Sequence, residues 1–233
     1  MIEDLDFETY LYISKDKFQI FVLNKKKLKN LYSQELKIDH QFDFKDLKIL
    51  LNLLDKNIYK IEKLIGNFIK DIILIVENEK NLKINMGIKK SYETSLKQKS
   101  FSSNLTELKD LFKKNYQDQT IMHMCIINYI IDGKRFSSFD TKLINNYFCI
   151  EVSFIAIDNK LVFAFDNVLE KYQIKIKQYM CGNYISNFIG DAGNEISIIA
   201  NKLRNGLNIN EITIVPKHKK NKGFFEKFFQ LFS

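Results

Sequence analysis

The sequence predicts a mixed fold of the α/β (α+β) class, and three observations lead to it. Residues 9–39 alternate strand-like apolar runs with polar turns, and residues 42–70 carry apolar side chains at helical spacing. Ile72-Ile-Leu-Ile-Val76 is then a short run without polar interruption, the character of a strand covered on both faces. The 233 residues, 45% apolar with one proline, suffice for one compact chain or two small lobes. They exclude a disordered, collagenous or linker-rich chain.

Thr9-Tyr-Leu-Tyr-Ile13 and Phe18-Gln-Ile-Phe-Val-Leu23 flank the polar turn Ser14-Lys-Asp-Lys17, and residues 31–38 supply a third strand, so the fold opens on a β-meander. Leu47, Leu50, Leu51 and Leu54, then Ile58, Ile61, Leu64, Ile65 and Phe68, mark one or two amphipathic helices before the buried strand. A second unit starts near Asn81. There Asn104 is placed to cap a helix beginning at Leu105, with Glu107 as its capping-box partner. Residues 120–131 form a long strand, Asp132-Gly133 a tight turn, 147–157 a strand, 159–172 a helix and 174–180 a strand. This second set is a compact α+β arrangement. Ile196-Ser-Ile-Ile-Ala200 and Glu211-Ile-Thr-Ile-Val215 read as a closing hairpin, stopped by Pro216.

With 36 Lys plus Arg against 28 Asp plus Glu, the formal charge is +8, which suits nucleic acid or an anionic membrane surface. Residues 217–233 hold five lysines and one glutamate, so half of the excess sits there. At about 100° per residue, Phe224, Phe225, Phe228, Phe229, Leu231 and Phe232 share an arc of roughly 160°. Lys222, Glu226, Lys227 and Gln230 lie on the opposite side. Such a face must be buried, against the chain's own sheet or in lipid. The basic linker through Lys219, Lys220 and Lys222 and the aromatic-rich face favour the membrane interface. A nucleic-acid binder using the lysines of 25–29 and 217–222 is the weaker alternative, because no aromatics interleave those clusters as stacking platforms.

The N-terminus, Met1-Ile-Glu-Asp, is acidic where a signal peptide is basic, and no apolar run approaches a membrane span, so a cytoplasmic location is expected. Cys125, Cys149 and Cys181 show no metal or redox spacing and read as buried free thiols. His40, His123 and His218 are scattered, and His123 reads as a structural histidine on the less buried face of its strand. No phosphate-loop, dinucleotide, zincin or serine-elbow motif occurs. No enzyme activity, cofactor or metal is therefore expected. Asp191 with Gly193 is the one acidic-glycine turn that could face a phosphate.

Thr120-Ile-Met-His-Met-Cys-Ile-Ile-Asn-Tyr-Ile-Ile-Asp-Gly133, then Glu151-Val-Ser-Phe-Ile-Ala-Ile, and the return through Tyr172-Gln-Ile-Lys-Ile resemble the inserted subdomain of the bacterial cell-division family FtsA. Asp191-Ala-Gly-Asn-Glu-Ile-Ser-Ile-Ile-Ala200 and Ile212-Thr-Ile-Val-Pro216 resemble that family's second phosphate hairpin, and 217–233 its membrane-targeting helix. The resemblance implies a partial actin-like (ribonuclease H-like) first lobe at 1–80 and an FtsA-type inserted subdomain at 81–180. A remnant hairpin of the second lobe at 181–216 and a basic linker with an amphipathic helix at 217–233 complete it.

It also implies a peripheral protein on the cytoplasmic face of the inner membrane, at the division septum. Its partners would be divisome proteins, FtsZ among them, with self-association. The departures speak against nucleotide binding: Ser14-Lys-Asp-Lys17 lacks glycine, and Asn194 and Glu195 stand where the family's second hairpin approaches phosphate. After Pro216 the resemblance passes directly to the terminal helix, so the expected molecule lacks the family's second lobe with its FtsZ-gripping surface. The expected molecule is a non-enzymatic adaptor. PilM-type pilus-assembly proteins, which share the inserted subdomain, are the alternative family.

Overall fold

The computed structural model describes residues 6–38, 44, 47–91, 98–137, 147–190 and 195–212, with side chains from 102 onward in the helix that starts at 98. In chain order the elements are β1 (Phe7–Ile13), β2 (Lys17–Asn24), β3 (Lys29–Lys37), α1 (Lys48–Ile65), β4 (Asp71–Val76), β5 (Leu82–Ser91) and α2 (Gln98–Asn115). There follow β6 (Gln119–Ile131), β7 (Lys134–Phe136), β8 (Tyr147–Asp158), α3 (Asn159–Glu170), β9 (Lys175–Cys181), α4 (Gly182–Ser186) and α5 (Ile196–Arg204). They fall into two units, the first of residues 1–82, 118–122 and 155–208, the second of 83–117, 123–154 and 209–233.

The first unit is built on a five-stranded sheet in the order β3-β2-β1-β4-β9. β1 pairs antiparallel with β2, which pairs antiparallel with β3, while β1 and β4, and β4 and β9, run parallel. That order and sense are those of the ribonuclease H-like lobe on which actin-like proteins are built. Both faces are covered, which explains why β1 and β4 lack polar alternation. Leu11, Ile13, Ile20, Ile72 and Leu74 meet Leu50, Leu54 and Ile61 of α1 and Phe165 and Leu169 of α3 on one face. Tyr10, Tyr12, Phe21, Ile73 and Ile75 meet Ile185 of α4 and Ile199, Ala200 and Leu203 of α5 on the other. The left-handed Gly66 (φ 68°) stops α1 where a side chain would be strained.

In the second unit β5, β8, β6 and β7 lie in that order. Asp132 (φ 48°) and Gly133 (φ 85°) make the two-residue turn joining β6 to β7, the geometry that an Asp-Gly pair predicts. Phe112 of α2 stacks on Phe154 with centroids 4.7 Å apart, fixing the helix on the sheet. The segment after α5 adds to the β6 edge: Ile126 N donates to Asn210 O at 2.9 Å and Ile212 N to Met124 O at 2.8 Å.

Several expectations need correction. The hairpin at 181–216 is not what forms: Ile196–Arg204 is α5, and α4 and α5 cover the first sheet rather than remaining from a second lobe. Spacing explains it, since Ile196, Ile199, Ala200 and Leu203 follow the i, i+3, i+4, i+7 pattern of a helix. The span 81–180 is too long for one inserted subdomain, because β9 pairs with β4 and α3 packs on the first sheet. α2 begins at Gln98, so Asn104 lies inside it, 3% exposed, instead of capping it. Cys125 and Cys181 are buried thiols, but Cys149 is half-exposed.

One polar cluster ties α5 to the sheet. Glu8 Oε2 accepts from Arg204 Nη1 at 2.6 Å, Tyr10 Oη at 2.8 Å and Asn201 Nδ2 at 3.1 Å, and Arg204 Nε donates to Gln178 at 2.8 Å. Burial opposes ionisation of Glu8, but the guanidinium and the hydroxyl outweigh it and hold the carboxyl below its usual range. Arg204→Met strands this carboxylate, and urea titration should show a loss on the order of 3 kcal/mol. A depressed native pKa means that the Glu8 contribution is complete above its unfolded value of about 4.3. It is lost as pH falls through the lower native pKa. The stability gap between wild type and Glu8→Gln should therefore be widest near neutrality and close in acid; a gap independent of pH contradicts the ionised pair.

Candidate functional site

In open parallel sheets ligands bind beyond the carboxyl ends of the strands, so the place to look in the first unit is where β1, β4 and β9 end. The β1–β2 turn supplies Ser14 to Lys17, the end of β4 supplies Glu77 and Asn78, and the end of β9 supplies Cys181 and Gly182. A phosphate site here would need inward-facing N–H groups with no other acceptor.

The turn does not offer them. Ser14 is 4% exposed, and its Oγ accepts from Asp16 N at 3.3 Å and Lys17 N at 3.1 Å while donating to Lys17 O at 3.0 Å. The hydroxyl occupies the amides that a phosphate oxygen would take. Ser14 N is spent on Lys17 O at 3.0 Å, closing the hairpin from the other side.

The neighbouring strand ends are closed as well. Glu77 N donates to Ile13 O at 2.8 Å, and Tyr12 Oη donates to Glu77 Oε2 at 2.8 Å. Burial, reinforced by this carboxylate, pushes the Tyr12 hydroxyl well above its ordinary pKa, so it stays protonated as a donor. Asn78 is buried and accepts from Lys80 N at 3.0 Å. Gly182 passes so close to Glu77 that a Cβ there would meet Glu77 Cβ at 2.8 Å and its Cα at 3.1 Å. Lys15 pairs with Glu79 at 2.9 Å in solvent. The arrangement leaves a carboxylate and a serine hydroxyl where a nucleotide's polyphosphate would need bare backbone.

The residues singled out in the sequence fall elsewhere. Asp191 and Gly193 lie outside the described residues, as do Lys219, Lys220, Lys222, Phe224, Phe225, Lys227, Phe228, Phe229, Leu231 and Phe232. Glu195 precedes α5, and its carboxylate accepts from Asn30 of β3. His123, read as sitting on the less buried face, is 1% exposed, with Nδ1 2.7 Å from Glu211 Oε1. The two residues are 88 positions apart, so periodicity within β6 carried no sign of this partner. Among the described residues no group of three or more His, Cys, Asp or Glu could hold a metal ion. No helix of the described residues is long and apolar enough to cross a membrane.

No family model and no curated protein matches the chain. Solved structures do. One is the cytoplasmic domain of EpsL, an inner membrane component of the type II secretion system of Vibrio cholerae, at 9% identity and TM-score 0.36 over 77% of this chain and 57% of that one. Another is the PilM–PilN type IV pilus biogenesis complex, at 7% identity and TM-score 0.47 over 78% and 49%. A Bacteroides thetaiotaomicron protein with an actin-like ATPase fold and unknown function matches at 16% identity and TM-score 0.30 over 81% and 58%. The chain thus spans 49 to 58% of their lengths. The class that the strand order defines is an actin-like lobe of ribonuclease H-like topology.

Ser14→Ala removes the acceptor from two turn amides and should cost about 1 kcal/mol in urea titrations. Gly182→Ala should cost roughly 2 kcal/mol, because the clash is with backbone that cannot turn aside. An alanine at 182 that leaves stability unchanged contradicts the close approach.

Proposed function

We propose that the chain is a non-enzymatic, FtsA-like adaptor of the cell-division machinery, an actin-like lobe that joins partner proteins to the cytoplasmic face of the inner membrane. The observation that carries the non-enzymatic part is the Ser14 hydroxyl seated on the amides of Asp16 and Lys17. An actin-like lobe that fills its own phosphate turn keeps its surfaces for protein contacts and loses its means of nucleotide turnover. The membrane part rests on the sequence of 217–233, with a Phe face to enter the acyl boundary and lysines for anionic headgroups. At about 1 kcal/mol per lysine near such a surface, charge and insertion contribute comparably.

The membrane reading is tested by sedimenting the protein with vesicles of phosphatidylglycerol and phosphatidylethanolamine. Binding should weaken as salt rises, and should fall roughly tenfold or more in Phe228→Glu or on deletion of 219–233. Equal binding by the deletion variant overturns it. Affinity purification from the native cell then separates the readings of the adaptor role. Septal proteins, FtsZ among them, support cell division; pilus or secretion components replace it with an assembly adaptor of the PilM type.

A further inference from the structure

Among the described residues β5 ends the four-stranded sheet, and its outer edge has no strand beside it. From Lys83 to Ser91 the strand alternates strictly, with Ile84, Met86 and Ile88 half-buried and Lys83, Asn85, Gly87 and Lys89 exposed. Lys90 has the same parity as the apolar three, and its ammonium meets Glu107 of α2 at 2.9 Å. The apolar row therefore lies on the face that α2 covers.

The cover is incomplete. Not one of the three side chains is fully buried. An edge with no strand beside it among the described residues and a half-covered apolar row are together what one more strand would complete.

We propose that the β5 edge takes up an extended acidic segment of a partner protein by strand addition. Alternate apolar side chains of that segment extend the half-buried row of Ile84, Met86 and Ile88, and acidic ones face Lys83 and Lys89. The charge argues for this occupant: Lys83 to Ser91 contains three lysines and no acidic residue. Lys89 is held on the open face of the sheet, its ammonium 4.1 Å from the ring centre of Tyr147 on β8. A second copy of this chain fits poorly, since two-fold pairing about Met86 sets Lys83 against Lys89, and like charges directly opposite are destabilising. The nine residues offer about 30 Å of edge. The inference stands apart from the membrane reading and survives if that reading fails.

The test is fluorescence anisotropy with the full chain and three labelled decapeptides: alternating valine and glutamate, alternating valine and lysine, and the first one N-methylated throughout. The valine–glutamate peptide should bind saturably, and the other two at least about tenfold more weakly, a difference near 1.4 kcal/mol. In Lys83→Glu/Lys89→Glu the charge preference should invert, which also shows that the variant is folded. Hydrogen exchange should gain protection within 83–91. The proposal is overturned if the methylated peptide binds as well, if protection appears elsewhere, or if the charge reversal leaves the preference unchanged.

Discussion

The first unit depends on a single constraint, the burial of β1 from Thr9 onward. Residues 9–14 are all buried, with Tyr10, Leu11 and Ile13 fully out of solvent. A strand with apolar side chains on both faces needs cover on both, at about 2 kcal/mol for each large side chain removed from water. α1 and α3 supply one face, α4 and α5 the other. Parallel β4 on one side and antiparallel β2 on the other complete the hydrogen bonding. The Glu8–Arg204 pair is a product of the same arrangement, since it satisfies the polar start of a strand that is apolar from Tyr10 onward.

Burial of β1 also determines what its carboxyl end can do. A lobe of this topology delivers the β1–β2 turn to the position where nucleotides are bound in actin-like proteins. Here the strand runs on into Ser14, a residue small enough to be buried and polar enough to need partners. Those partners are the turn's own amides. Glu77 and Tyr12 satisfy each other beside it, and Gly182 lets β9 approach the end of β4 so closely that little space remains. Among the described residues this strand end is occupied by the protein's own side chains.

What could be read from the sequence follows from how local the determinants are. The hairpin of β1 and β2, the helical stripe of α1 and the uniform run of β4 declare themselves within a few residues, as does the Asp132-Gly133 turn. Ile196 to Ala200 misleads because a five-residue apolar run suits strand or helix, and only the extension to Leu203 separates them. Asn104 matches a cap by its neighbours, yet the helix already begins at Gln98, nearly two turns earlier, where the sequence offers no clear start. At the candidate site the absence of glycine in Ser14 to Lys17 already argued against phosphate, whereas the Ser14 hydroxyl as the substitute acceptor needed coordinates. His123 with Glu211 was illegible for the same reason: the pairing is created by the chain's return to the β6 edge.

The central claim, that this actin-like lobe has filled its own phosphate turn, is tested most directly by titrating magnesium-ATP into the protein while following the backbone amide resonances of Asp16 and Lys17. The account predicts that both stay in place up to millimolar nucleotide and that their hydrogen exchange is unaltered. Saturable shifts of these two amides, accompanied by a binding heat, would contradict it.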